Sequence, residues 1–164
     1  MATIYISIGS NINPLHYIEL ALQDLQQTFG EIRSSRFYES QAVGFDGENF
    51  INLVSAAQTD LPVADVVKVL HHIEDQHGRD RRGPKFSSRT IDLDLLLYDD
   101  LVFQQTGIDI PRHEILTNAF VLCPLAELYP SGLHPQIGKS YAQLWKEFDQ
   151  ASQPLWPLSM HVEK

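Results

Sequence analysis

Ile91-Asp92-Leu93-Asp94-Leu95-Leu96-Leu97-Tyr98 is the stretch that decides the fold. Two aspartates alternate with apolar residues inside a leucine-rich run, the pattern of a strand whose successive side chains point to opposite faces. Asp92 and Asp94 therefore share one face, about 6.6–7 Å apart along the strand. Leu93, Leu95 and Leu97 are expected on the other face, toward a core. Working back toward the N-terminus, Ile4, Ile6 and Ile8 alternate as a first strand. Asn13-Pro14 reads as a helix cap followed by proline at the first helical position. Leu15, Ile18, Leu22, Leu25 and Phe29 then supply one apolar helix face, and Gly30 stops it. Ile32 to Tyr38 reads as a second strand, Gly44 to Gly47 as a turn-rich loop and Phe50 to Ala57 as a third strand. Leu61-Pro62 opens a second helix with Val63, Val66, Val67, Leu70 and Ile73 as its buried stripe, ending at Gly78. The order is β-α-β-β-α-β, which predicts an α+β, ferredoxin-like core: an antiparallel sheet with helices packed on it. C-terminal additions follow, as a hairpin near Leu101 to Ile110 and helices near Ala119 to Leu128 and Tyr141 to Phe148.

The 164 residues suffice for one core, and residues 1–164 are expected to form a single domain. Lys and Arg number 12 against 21 Asp and Glu, a net charge of −9. Neither nucleic acid nor an anionic membrane surface is an expected partner of so acidic a chain. Cys123 is the only cysteine, and the alternating segment Met1 to Asn11 has no basic leader, so a cytoplasmic protein is expected, as a monomer.

A basic segment feeds straight into the aspartate strand. Arg79, Arg81, Arg82, Lys85 and Arg89 are opposed only by Asp80, while Gly83-Pro84 and Ser87-Ser88 mark a loop. Arginine forks match phosphate oxygens, and paired carboxylates suit magnesium, which shares its remaining ligands with water and phosphate. By itself Asp-x-Asp on a strand reads as a solvent-facing pair. The adjoining arginines shift the reading to a nucleotide triphosphate with bound magnesium. No Walker-type phosphate loop is present in the sequence. With its five cations repelling one another, the Arg79 to Ser88 loop is expected to order only around ligands. His71, His72 and His77 match no standard zinc spacing and read as solvated helix residues.

Three segments resemble a known family: Ser7-Ile8-Gly9-Ser10-Asn11; Gly78-Arg79 with Arg89-Thr90-Ile91-Asp92-Leu93-Asp94-Leu95; and Ala119-Phe120-Val121-Leu122 with Pro124-Leu125. The family is 6-hydroxymethyl-7,8-dihydropterin pyrophosphokinase, of folate biosynthesis. The resemblance implies transfer of a pyrophosphoryl group from ATP to the pterin hydroxymethyl group, with AMP released and two magnesium ions held by Asp92 and Asp94. It implies that Arg79 and Arg89 are catalytic phosphate-gripping residues. Glu74, Arg81, Leu95, Arg112 and His113 are placed by it with these at ATP. For the pterin it implies Ser40, Val43, Phe50, Asn52, Phe86 and Phe120. For Phe50 and Phe120 plain core packing is the competing reading, whereas Asn52 on a strand has no obvious structural purpose.

The chain departs from the family pattern twice. Asn118 stands where an arginine is usual, and the usual Pro-His segment reads Pro111-Arg112-His113. These departures motivate one alternative, a non-catalytic pterin- or nucleotide-binding paralogue. A two-metal nuclease is a third reading, disfavoured by the acidic charge.

Overall fold

The computed structural model describes residues 1–41, 49–78 and 90–158. The loop read at Gly44 to Gly47 and the basic loop from Arg79 to Arg89 lie outside those residues. The long strands are β1 (Ala2–Ser10), β4 (Phe50–Thr59) and β5 (Asp92–Tyr98), and the long helices are α1 (Pro14–Phe29) and α2 (Val63–Gln76). Two short strands, β2 (Arg33–Ser34) and β3 (Tyr38–Ser40), stand where one had been expected. The sheet runs β5-β1-β4-β3, with β2 also on β4, and every pairing is antiparallel. The α+β architecture expected from the sequence is the one observed.

Alternation along β1 divides the interior in two. Ile4, Ile6 and Ile8 are fully buried beneath α1 and α2, together with Leu93, Leu95, Leu53 and Leu70. Each such side chain contributes about 1.5–3 kcal/mol of transfer free energy. Tyr5, Val54, Leu96 and Leu97 face the other way, under α4 (Ala119–Leu128) and α5 (Tyr141–Glu147). Leu97 thus departs from the expected alternation. Ile6 pairs with Leu95 and Tyr5 with Leu97, so Leu96 is an extra residue, a β-bulge. The bulge turns the strand's alternation over, and Leu97 joins the face that carries Asp94.

Two local readings also need correction. Asn13 precedes α1 in the left-handed region at φ 44°, with no side-chain cap bond, so Pro14 starts the helix without help from the Asn13 amide. The second strand breaks because Ser35 leaves the ladder. Its backbone N–H still donates to the Val54 carbonyl, but the Val54 N–H donates to Ser35 Oγ at 3.1 Å instead of to a backbone oxygen. A short helix, α3 (Glu114–Thr117), and an edge strand, β8 (Leu155–Pro157), escaped the sequence reading. β8 lies against β3, where Trp156 Nε1–H donates to Glu39. Proline at its end reads against a strand, but an edge position tolerates it. The hairpin is present as β6 (Phe103–Gln105) and β7 (Ile108–Ile110). No described helix is long and apolar enough to cross a membrane.

Buried His134 supports the wall beyond α4. Its Nδ1 accepts from the backbone N–H groups of Gln136 and Ile137, so the ring proton sits on Nε2. Burial lowers its pKa. The unfolded chain therefore takes up a proton near pH 6.5 that the folded ring refuses. His134 costs nothing above that pH and destabilises the fold increasingly as pH falls toward its depressed folded value. His134→Asn keeps an acceptor and cannot titrate, so its melting temperature should fall less than the wild-type value between about pH 7 and 5. Parallel pH profiles for the two proteins would refute this.

Candidate active site

Gly9 organises one end of the sheet face that α4 covers farther along. It pairs with Asn52 on β4 and with Asp92 on β5, and Asn52 pairs in turn with Tyr38 on β3. The next row on the same face is Asp94, Ser7 and Val54. Ser40 and Phe50 pair on the other side of the Asn52 row. Phe120, at the start of α4, packs against the cluster beneath that face. Residues proposed from separate parts of the sequence for metal and for pterin are thus gathered on one surface. Asn52 and Asp92 are two strands apart, about 9.5–10 Å.

The two halves of this surface differ in polarity and exposure. Asn52 is 5% exposed, while the Asp94 side chain keeps 30% of its surface in solvent. A Cβ on Gly9 would stand 2.5 Å from Asn52 Nδ2, so the amide lies across a strand position that only glycine leaves open. The role of Gly9 was missed in the sequence. A glycine in line with Tyr5 and Ser7, on the strand face away from the isoleucines, was the available signal. Gly9→Ala should push the amide aside at little cost to stability, because the obstructing atom is the end of a side chain. Asn52→Ala removes the amide altogether. At about 1–3 kcal/mol per unpaired group, both variants should weaken pterin binding by about tenfold or more while nucleotide binding changes little. Calorimetry finding both ligands weakened equally would indicate a folding defect instead.

Beneath the aspartates, Glu74 is 2% exposed, and its Oε2 accepts from the Leu93 N–H at 2.6 Å. Among the described residues β5 is the edge strand, so this carboxylate on α2 satisfies a backbone donor that no described strand takes. Glu74 therefore fastens the residue between Asp92 and Asp94 to α2. This bond to the backbone stands beside the contact with ATP that the resemblance implies for Glu74.

Above them stands Arg112. Its Nη2 is 3.6 Å from Asp94 Oδ1, and its Nε is 2.5 Å from Glu114 Oε1. A narrow cleft of about 30 Å³ is lined by Asp94, Leu95, Arg112, Leu70, His71 and the β7 segment among others. Leu95 and Arg112 thus meet Asp94 at one cleft. His113 does not line it: 72% exposed, its ring and backbone N–H both engage Asp109. Burial raises the pKa of Asp109, but its hydrogen bonds with His113 and Gln104 more than offset that and hold it low. A roomier cavity of about 580 Å³ lies between Tyr38, Cys123, Trp145 and the C-terminal strand. None of the described residues proposed from the sequence lines it, and burial pushes the Cys123 thiol up, away from a reactive thiolate.

Arg79, Arg81, Arg89, Val43 and Phe86 lie outside the described residues. Among the described residues, no group of three or more His, Cys, Asp or Glu gathers around a common point. Two carboxylates on one face still fit magnesium, which takes its remaining oxygens from water and phosphate.

The site is thus a face of an antiparallel α+β sheet on which a pair of aspartates stands beside a recessed amide. The chain belongs to the 7,8-dihydro-6-hydroxymethylpterin-pyrophosphokinase (HPPK) family, whose model matches residues 5–130. It is 34% identical over 150 residues to the 2-amino-4-hydroxy-6-hydroxymethyldihydropteridine pyrophosphokinase of Aquifex aeolicus, covering 90% of this chain and 91% of that one. The enzyme of that name from Synechocystis is 33% identical over 161 residues, covering 96% and 81%. Among solved structures, Plasmodium falciparum HPPK-DHPS with pterin and p-hydroxybenzoate matches with a TM-score of 0.72 at 14% identity. An HPPK-DHPS in complex with substrates matches with a TM-score of 0.74 at 13% identity. The chain spans 43% and 44% of those two longer chains, and at such identity they bear on the fold alone.

Proposed function

We propose that this protein is a diphosphokinase that transfers a pyrophosphoryl group from ATP to 6-hydroxymethyl-7,8-dihydropterin and releases AMP, in folate biosynthesis. The observation that carries this reading is the placement of Asn52, Asp92 and Asp94 on one sheet face, in a chain whose relatives bear that enzyme's name along most of their length. The same relatives favour catalysis over a non-catalytic paralogue.

In this proposal Asp92 and Asp94 hold two magnesium ions. Bound there, magnesium would neutralise phosphate charge and acidify the attacking hydroxyl. The chain's own residues do the rest by positioning. Asn52 reads the pterin edge, backed by Gly9. Phe50 and Phe120 are the aromatic walls, with Ser40, Val43 and Phe86 completing the pocket. Leu95 and Arg112 border the nucleotide, with His113 nearby. Glu74 supports the metal strand from below. Arg79, Arg81 and Arg89 grip the phosphates, and the reacting oxygen is drawn into line with the departing AMP.

The direct test is to incubate the protein with ATP, magnesium and the pterin and to quantify AMP. AMP should form in step with the pterin diphosphate, and only when all three are supplied. ADP as the nucleotide product would indicate a simple kinase. No nucleotide product would leave a binding protein.

A further inference from the structure

One ion pair at this site competes with the cation that the same carboxylate is proposed to bind. Arg112 is fastened at two points. Its backbone N–H donates to the carbonyl of Leu96, the bulge residue two positions beyond Asp94, at 3.0 Å. Its guanidinium lies against Glu114, with Nε 2.5 Å from Oε1 and Nη2 donating to Oε2 at 3.4 Å. The Nε contact is a close approach of charges rather than an aligned hydrogen bond. The same Nη2 reaches Asp94 Oδ1 at 3.6 Å. Burial pulls the Arg112 pKa down, and the charges of Asp94, Glu114 and Asp92 more than offset it, so the cation is held firmly.

We propose that Arg112 is a built-in counter-ion for the Asp92/Asp94 pair, opposing metal binding while no nucleotide is present and transferring its guanidinium to the nucleotide's phosphate oxygens when they arrive. The proposal rests on Asp92 and Asp94 being the magnesium ligands. Two aspartates on one strand face repel each other, and a permanently charged guanidinium within reach relieves that repulsion. A divalent cation must then displace the guanidinium from Asp94. Glu114 keeps its hold during the exchange, so the arm swings about a fixed point. A triphosphate supplies new acceptors for the fork, which removes the competitor as the metal is delivered. Metal and nucleotide then bind more tightly together than apart, beyond their direct contact.

The test uses Mn²⁺ as the probe, titrated without nucleotide and followed by the loss of the free-ion EPR signal. Arg112→Met should bind Mn²⁺ about five- to tenfold more tightly than the wild type. The same variant should bind a non-hydrolysable ATP analogue with Mg²⁺ more weakly, by a similar factor. Arg112→Lys should fall between, since an ammonium keeps the charge without the fork. If Arg112→Met folds poorly because Glu114 loses its partner, the double variant Arg112→Met/Glu114→Gln carries the same comparison. Equal Mn²⁺ affinity with and without Arg112, where Asp94→Asn still weakens binding, would overturn the counter-ion role and spare the metal assignment. Mn²⁺ affinity indifferent to Asp94→Asn would overturn the metal assignment itself.

Discussion

Asp94→Ala is expected to lower turnover by about 10²–10³-fold or more while the protein still folds. The side chain is 30% exposed and takes no place in either apolar cluster, so its loss opens no cavity in the core. What goes is a carboxylate proposed to hold magnesium and, with it, one partner of Arg112. Relief of the repulsion with Asp92 and loss of that ion pair oppose each other, so the melting temperature should move little. Asp92→Ala should behave alike, because the two carboxylates occupy successive positions on the same face. AMP release and circular dichroism on the same samples provide the check. A folded Asp94→Ala protein with near-normal turnover would remove the metal from this face.

Glu74→Ala should give the largest loss of stability, about 2–4 kcal/mol. The carboxylate is buried between α2 and β5, and deleting it leaves a hole as well as the Leu93 N–H without its acceptor. For a chain of this length that corresponds to a fall of about 5–15 °C in melting temperature. Glu74→Gln retains an oxygen acceptor and should recover a good part of the loss. Thermal unfolding of the three proteins decides the matter. Equal stabilities would reduce the bond to an incidental contact. Because Leu93 lies between the aspartates, Glu74→Ala should also weaken Mn²⁺ binding, which an ordinary core substitution far from β5 would not do.

Much of the frame was legible because it rests on periodicity. Ile4, Ile6 and Ile8 announced a strand, and Ile18, Leu22 and Leu25 a helix, and burial follows both patterns. The convergence of Asn52 with Asp92 was accessible only through family resemblance. No local pattern says that residues 40 positions apart will share a row across a glycine. Glu74 illustrates the opposite limit. The resemblance marks it as an acid near the nucleotide, but its partner is a backbone amide on another element, so no local pattern on α2 signals that it fastens β5. β8 was hidden by the proline at its end, and the Arg112 contact by the bulge, which shifts register without any signature in a run of three leucines.

That bulge has a consequence for how the strand tolerates change in length. Upstream of Leu96, odd-numbered residues lie under α1 and α2; downstream, odd-numbered Leu97 lies under α4, while Tyr98 packs with the first core and donates its hydroxyl to the Leu61 carbonyl. The strand is two alternations joined out of phase. Substitutions within either half leave the other in place. Deletion of the residue at position 96 would join Leu95 directly to Leu97 in an unbroken alternation, so that Asp92, Asp94, Leu97 and Tyr98 all keep their faces and their partners on β1, and only the Leu96 side chain is lost from the second core. The extra leucine is therefore not what seats the charged pair; it adds a second apolar side chain beneath α4 and the carbonyl that holds the Arg112 backbone beside Asp94.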